Sequence, residues 1–409
     1  MKEHIDTVII GGGQAGLAVS YCLTQQSRPH VILEQAARAG SAWREGRWDS
    51  FTAVTPNWGL RLPGAEYQGD DPDGFLPRDE IVAYLEQYIA RFALPIRYGV
   101  RVTSVEQTGG GYRIEADETT YTAVNVVIAT GLFQQPKVPS CGDDLPPELM
   151  QLHSSQYRNP AALPPGGALV VGSGQSGAQI AEELHRSGRT VYLSTGGAGR
   201  VPRRYRGQDG FWWLSKLFGA RTVDQLPSPK AKFAPNPVAS GTNGGHTINL
   251  HQFARDGVVL LGHLRGVQNG AITLAPDLTE NLARADKAEA DFVKAADAYV
   301  ARSGLDAPEE RLPDPRDGDA VEEIRELNLA AAGVSSVVWA TGYTFDFGLV
   351  KLPVRDENGY PVQRRGVTAY AGLYFVGLPW LHTGASGLLV GVGEDAAYIA
   401  AQIQNRLRQ

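Results

Sequence analysis

Cysteine is almost missing from this chain. Cys22 and Cys141 are the two among 409 residues, too few and too far apart for a disulfide framework, and neither belongs to a C-x-x-C pair. Electron transfer through a dithiol of this chain is thereby excluded, and Cys22, on an expected helix, reads as a small buried filler. The eight histidines make no metal-ligand pattern: His246 and His251 lie five apart with no third ligand, so no metal is expected. No apolar run approaches the length of a membrane span, which argues against a membrane partner. The first strand-like run begins within a few residues of Met1 and leaves no room for a signal peptide, so the expected location is cytoplasmic. Positive charge is not in excess either: 38 basic against 44 acidic residues give a net charge of −6, which argues against nucleic acid.

Glycine, with 48 residues, is plentiful, and its placing is informative. Gly11-Gly12-Gly13-Gln14-Ala15-Gly16 follows an apolar, β-branched run (Thr7 to Ile10) and opens a helix-like stretch from Leu17 to Thr24. Gly172-Ser173-Gly174-Gln175-Ser176-Gly177 repeats the arrangement between Ala168–Val171 and Ala178–Leu184. A strand that ends in such a turn lets the backbone approach a pyrophosphate, and the next helix presents unpaired N–H groups to its charge. Strand, turn and helix in the right order make each match usable, and two matches imply two dinucleotides.

The end of the second strand tells the two apart. After the first turn, His30 to Leu33 reads as a strand and Glu34 follows, with Gln35 beside it; a carboxylate there accepts both hydroxyls of an unphosphorylated ribose, as in FAD. After the second, the strand Thr190 to Leu193 leads to Ser194, Thr195 and glycines, with Arg200, Arg203 and Arg204 close behind. Hydroxyls and guanidinium groups without a carboxylate favour the 2′-phosphate of NADPH.

Two Ala-Thr-Gly turns, Ala129-Thr130-Gly131 and Ala340-Thr341-Gly342, bracket the second glycine motif. They are the expected crossings between an outer FAD domain and an inserted NADPH domain. The expectation is therefore an α/β chain with two Rossmann-like, dinucleotide-binding domains: FAD domain over 1–160 and 336–409, NADPH domain over 161–335, with an insertion at 201–251. The proline-rich passage from Leu132 to Gly167 connects them. The insertion carries Phe211-Trp212-Trp213 and several prolines and glycines, a composition that suits an aromatic lid or packing onto the NADPH domain. Trp58, Trp212 and Trp213 are the candidate substrate walls. Asp277 to Ser303 reads as one amphipathic core helix, and Asp306 to Asp319 as a surface loop.

Nearly end to end, the chain resembles the flavin-containing monooxygenase family, in its bacterial flavoprotein branch, with plant indole-pyruvate monooxygenases as relatives. Gly40-Ser41-Ala42-Trp43-Arg44, Thr55-Pro56, Phe75-Leu76-Pro77-Arg78, His153-Ser154-Ser155-Gln156-Tyr157, Gly372 to Gly377, both glycine turns and both Ala-Thr-Gly turns carry the resemblance. There are departures. Pro147 and Leu149 stand where the family fingerprint has an aromatic residue and a glycine, and Asn57 does not align with the family's flavin-side asparagine. Gly377-Leu378 lacks the Gly-Asp of the disulfide reductases, which favours the monooxygenase branch.

The resemblance implies that Gly11, Gly13, Gln14, Ala15 and Gly16 hold the FAD pyrophosphate and Glu34 the ribose. Gly40 to Arg44 with Val102, and Ala129, Thr130 and Gly131, would line the FAD site. Gly172, Gly174, Gln175, Ser176, Gly177, Ser194, Thr195, Arg203 and Arg204 would hold NADPH. Glu394-Asp395 would open a last helix facing the flavin, and His382 is the candidate catalytic residue. The implied reaction inserts one atom of dioxygen into a small organic substrate through a flavin hydroperoxide. An NADPH oxidase or small-molecule reductase of the same fold, or a flavin-binding redox sensor, is the alternative. N- or S-oxygenation, Baeyer-Villiger oxidation and decarboxylation all stay open, as does a homodimer.

Overall fold

The computed structural model describes residues 2–406. Its strands are β1 (Lys2–Ile10), β2 (His30–Glu34), β3 (Ile96–Tyr98), β4 (Val102–Thr108), β5 (Gly111–Ala116), β6 (Thr119–Ile128), β7 (Met150–His153), β8 (Gly167–Val171), β9 (Val191–Ser194), β10 (Val259–Leu261), β11 (Val334–Trp339) and β12 (Leu373–Phe375), with shorter pieces between. The helices are α1 (Gln14–Gln25), α2 (Ser41–Arg44), α3 (Arg78–Phe92), α4 (Gln175–Arg186), α5 (Gly210–Phe218), α6 (Leu250–Asp256), α7 (Leu278–Ser303) and α8 (Val392–Arg406). None of the described helices is long and apolar enough to cross a membrane.

Two sheets organise the chain. In the first, the order is β3-β2-β1-β6-β5-β4, with β12 also on β6. β1 is central and parallel to both β2 and β6, so Val8, Ile9 and Ile10 are buried on both faces, as a β-branched run without polar alternation requires. The long β6 serves two partners along one edge. Its first half pairs with antiparallel β5 and its last three residues with parallel β12. The second sheet is wholly parallel, β7-β11-β8-β9-β10.

Because β7 and β11 both belong to the second sheet, that unit reaches further than the expected 161–335. It takes in Met150–His153 before and closes with Trp339 after. The proline-rich passage from Leu132 to Gly167 concealed β7, since four residues amid prolines carry little pattern. The crossings are where the Ala-Thr-Gly turns lie, and there Gln135–Pro136 pairs antiparallel with Tyr343–Thr344. The insertion does not stand apart: Trp213 is wholly buried with Phe292 and Ala296 of α7, in a cluster that holds Trp212 at its edge. α7 itself spans the amphipathic stretch expected as one helix.

Candidate nucleotide sites

Register brings the functional residues to one edge of each sheet. Ile10 pairs with Leu33 and Ile128, so Gly11, Glu34 and Ala129 emerge side by side at the carboxyl ends of their strands. Val171 pairs with Ser194 and Trp339, which brings Gly172, Thr195 and Ala340 out in the same way. Ligands of parallel α/β sheets bind at this edge.

The first turn is tied down by backbone bonds. Gly11 N–H donates to Leu33 O at 2.9 Å, and Ala129 N–H to Ile10 O at 2.8 Å. Gly11 has φ +110°, and a Cβ there would lie 2.5 Å from Ala129 O. Gly16 brings α1 against the turn. Gly13, by contrast, has nothing within 4 Å of its would-be Cβ, so its backbone faces open space. The Glu34 carboxylate accepts from the N–H groups of Gly12 and Ala36, which fixes its oxygens at the mouth of the turn.

A cleft of about 270 Å³ runs from this turn. Gly12, Gly13, Gln14 and Ala15 line it together with Glu34, Gln35, Gly40 to Trp43, Ala129 to Phe133, Gly377 and Gly387. Open glycine backbone at a helix N-terminus, a fixed carboxylate and an aromatic wall match the phosphate, ribose and ring system of a flavin dinucleotide. Gln14 also ties the cleft to the C-terminal segment by donating to Gly387 O at 2.8 Å.

Two expected residues, Arg44 and Val102, do not line the cleft, and neither does Asn57. Arg44 points to α3, where its guanidinium pairs with Glu86, while its Nε donates to Ala39 O. Val102, at the start of β4, packs against the core cluster that includes Ile10 and Leu33, two residues beyond Val100, whose N–H donates to Glu34 O at 2.9 Å. Asn57 is buried and clamps its own turn, accepting from Leu76 N–H at 2.8 Å and donating to Asp71 O at 2.9 Å.

Arg47, which the sequence reading passed over, does line the cleft. Its guanidinium lies 4.5 Å from the Phe133 ring centre, 5.5 Å from Phe51 and 5.6 Å from Trp43. Burial pushes it down from its usual value, opposed by the neighbouring Tyr343. The one available signal was an arginine set among Trp43, Trp48 and Phe51.

The second turn repeats the first bond for bond. Gly172 N–H donates to Ser194 O at 3.0 Å, and Ala340 N–H to Val171 O at 2.9 Å. Gly172 has φ +103°, a Cβ there would meet Ala340 O at 2.6 Å, and the space at Gly174 is open. Gln175 donates to Ala239 O at 2.6 Å and accepts from Ala239 N–H, so the insertion lies over the start of α4. Ser176 and Gly177 belong to the first turn of α4.

The expected NADPH hydroxyls and arginines are differently placed. Ser194 and Thr195 are buried, their hydroxyls donating to Gly262 O and Leu261 O. Arg203 is buried in an ion pair with Asp209, donates to Val54 O at 2.8 Å, and stacks over Phe75 and Phe211. Arg200 is likewise buried against Asp286 and Glu289. Arg204 is exposed on a short hairpin paired with Asp209. Sequence spacing could not distinguish these arginines, because their acidic partners come from α7 and from the hairpin.

The substrate candidates also divide. Trp213 donates its indole N–H to Tyr205 O at 2.7 Å and is a core residue, with Trp212 edge-on to it. Their role is packing, because α5 lies against α7. Trp58 is half-buried in the turn that follows Thr55-Pro56. His382 is absent from the cleft lining and is held by its backbone: its N–H donates to Ser386 Oγ at 3.1 Å and its carbonyl accepts from Val223 N–H at 2.7 Å. Nearby Asp395, buried at the start of α8, has its carboxyl pushed up by burial, opposed by Ser386 and Arg365. His153 Nε2–H donates to Gly342 O at 3.0 Å, and burial pushes its imidazole down. His246 and His251 face Glu182 and Asp286, and no metal-binding cluster occurs among the described residues.

The comparisons agree with this architecture. A family model described as pyridine nucleotide-disulphide oxidoreductase matches residues 8–208. An uncharacterized CzcO-like oxidoreductase of Geobacillus kaustophilus is 34% identical over 99% of this chain and 100% of its own. Probable indole-3-pyruvate monooxygenase YUCCA10 of Arabidopsis thaliana is 32% identical over 46% of this chain and 50% of its own. Among solved structures, the flavin-containing monooxygenase from Stenotrophomonas maltophilia shares the fold with a TM-score of 0.67 at 22% identity, covering 99% of both chains. At 34% identity over nearly its whole length, the chain belongs to the family of the CzcO-like oxidoreductases.

Proposed function

We propose that the protein is an NADPH-dependent FAD monooxygenase that inserts one atom of dioxygen into a small organic substrate. The observation that carries the reading is the pair of glycine turns of one construction in a chain with no dithiol. With no thiol pair to take electrons from the flavin, the acceptor has to come from outside the chain, and dioxygen fits the resemblance to flavin-containing monooxygenases.

Gly11 to Gly16 would hold the FAD pyrophosphate on the N–H groups that open α1, and Glu34 the ribose diol. Gly172, Gly174, Gln175, Ser176 and Gly177 would do the same for NADPH. The chemistry supplied by bound FAD and NADPH is hydride transfer to the flavin and activation of dioxygen. The chain's own part is to bind, orient and exclude water. Trp43, Arg47 and Phe133 form an aromatic-cationic wall along the cleft, and the insertion touches the C-terminal segment where Val223 N–H donates to His382 O and Lys232 pairs with Asp356. Trp58 is the remaining substrate-wall candidate. His382, whose backbone N–H donates to Ser386 beside Gly387 of the cleft, is the candidate catalytic residue.

The test is oxygenation under ¹⁸O₂ with NADPH over a panel of amines, sulfides and ketones. Incorporation of ¹⁸O into a product in step with NADPH consumption is expected. NADPH consumption with all oxygen recovered as hydrogen peroxide, across the whole panel, would identify an oxidase, and a flavin that NADPH fails to reduce would identify a binding protein.

A further inference from the structure

We propose that Arg284 of α7 recognises the 2′-phosphate of NADPH and sets the preference for NADPH over NADH; this rests on reading the second turn as the NADPH site. Thr195, Gly196 and Gly197 follow β9, the position where the second strand of a dinucleotide fold presents the adenosine ribose. Gly196 has nothing within 4 Å of its would-be Cβ, whereas a Cβ on Gly197 would lie 2.8 Å from Arg284 Nη1 and 3.7 Å from its Cδ and Cζ. The two glycines thus form a cradle whose one wall is a guanidinium.

That guanidinium is positioned from below. Arg284 donates to Asn281 Oδ1 at 3.0 Å, and Asn281, 3% exposed, donates in turn to Thr195 Oγ1 at 3.3 Å. Arg284 itself is exposed and, among the described residues, forms no ion pair. The carboxylate at the head of the same helix, Asp277, is engaged by His263 N–H at 2.8 Å.

The chain after β9 runs along α7, which explains why the arginines nearer in sequence are unsuited. Gly199 faces Ala288, Arg200 pairs with Asp286 and Glu289, and Tyr205 and Arg206 reach Asp297. Asp297 lies thirteen residues beyond Arg284, about 20 Å along the helix, so the Arg204 hairpin is remote from the cradle. An unpaired, pre-positioned guanidinium suits a phosphate through charge-assisted, bidentate bonds.

The test measures binding of adenosine 2′,5′-bisphosphate and of AMP to the FAD-loaded protein by calorimetry, alongside anaerobic flavin reduction by NADPH and NADH. Wild type is expected to bind the bisphosphate more tightly, and Arg284→Gln to lose about 10- to 100-fold of that discrimination, with Arg284→Lys between them. Lys287→Ala, an exposed change on the same helix at a residue paired with Asp291, is expected to keep it. Discrimination that survives in Arg284→Gln, or is absent from wild type, overturns the assignment while reduction of the flavin by either nucleotide leaves the proposed function standing. Discrimination that depends on Arg284 in a protein whose flavin neither nucleotide reduces would support the assignment and contradict the function.

Discussion

At the first turn a Cβ on Gly16 would lie 2.0 Å from the carbonyl oxygen of Gly11, and at the second a Cβ on Gly177 would lie 1.8 Å from that of Gly172. In both, the helix backbone rests on the turn, and no side chain fits between. The residues that finish the two sites differ. Glu34 follows Leu33, whose carbonyl holds Gly11; Thr195 follows Ser194, whose carbonyl holds Gly172. At the first site the Glu34 carboxylate accepts from the Gly12 N–H, while at the second Ser173, in the place of Gly12, accepts from the Gly196 N–H. The bond bridging the turn to the second strand is kept with donor and acceptor sides exchanged. On the proposed reading, backbone geometry makes each dinucleotide site, and what stands at the end of the second strand, Glu34 at the first and the Thr195–Gly197 cradle with Arg284 at the second, decides which sugar it takes.

The strongest way to break the comparison is at the third glycines. Gly16→Ala is expected to give protein without FAD, seen as loss of flavin absorbance after purification. Gly177→Ala is expected to keep the flavin and lose its reduction by NADPH. Two variants with the same defect would mean that the turns do not serve separate nucleotides.

Arg203→Met tests whether that arginine is structural. It leaves Asp209, also the N-cap of α5, buried and unpaired, a loss of about 3–5 kcal/mol to be read from urea denaturation. Unchanged stability with weakened NADPH binding would return Arg203 to the nucleotide site. Glu34→Gln sharpens the other side. Loss of a charge-assisted acceptor is expected to weaken FAD by about 10- to 100-fold in equilibrium dialysis, with NADP⁺ binding by the reloaded protein unaltered.

How much of this was legible follows from the same contrast. Both turns, Glu34 and the Ala-Thr-Gly crossings could be read because one local segment supplies each of them. The arginines could not, since a guanidinium is free or engaged according to distant partners: Arg203 through Asp209 and Val54, Arg200 through α7. Arg284 lies 87 residues beyond Gly197, and no local pattern links them. Trp212 and Trp213 suited either a lid or a core by composition, and only the packing of α5 on α7 decides for the core. Four-residue β7 was hidden among prolines, so the sheet boundary moved.

The smallest expected effect concerns the crossing. Burial holds His153 below its ordinary value, and His30 as well, so the unfolded chain binds more protons than the folded one below about pH 6.5. Stability is therefore expected to fall as the pH drops from 7.5 to 5.5, and less steeply in His153→Gln. Equal slopes in urea denaturation would remove His153 from the account.

The claim that one chain holds two nucleotides at once is tested most directly by counting them. Flavin released on denaturation gives the FAD content, and equilibrium dialysis of NADP⁺ against the yellow protein gives the second occupancy. One FAD and one NADP⁺ per chain, bound without competition, is the expected result. NADP⁺ that binds only when FAD is removed would place both nucleotides on a single turn and contradict the division described here.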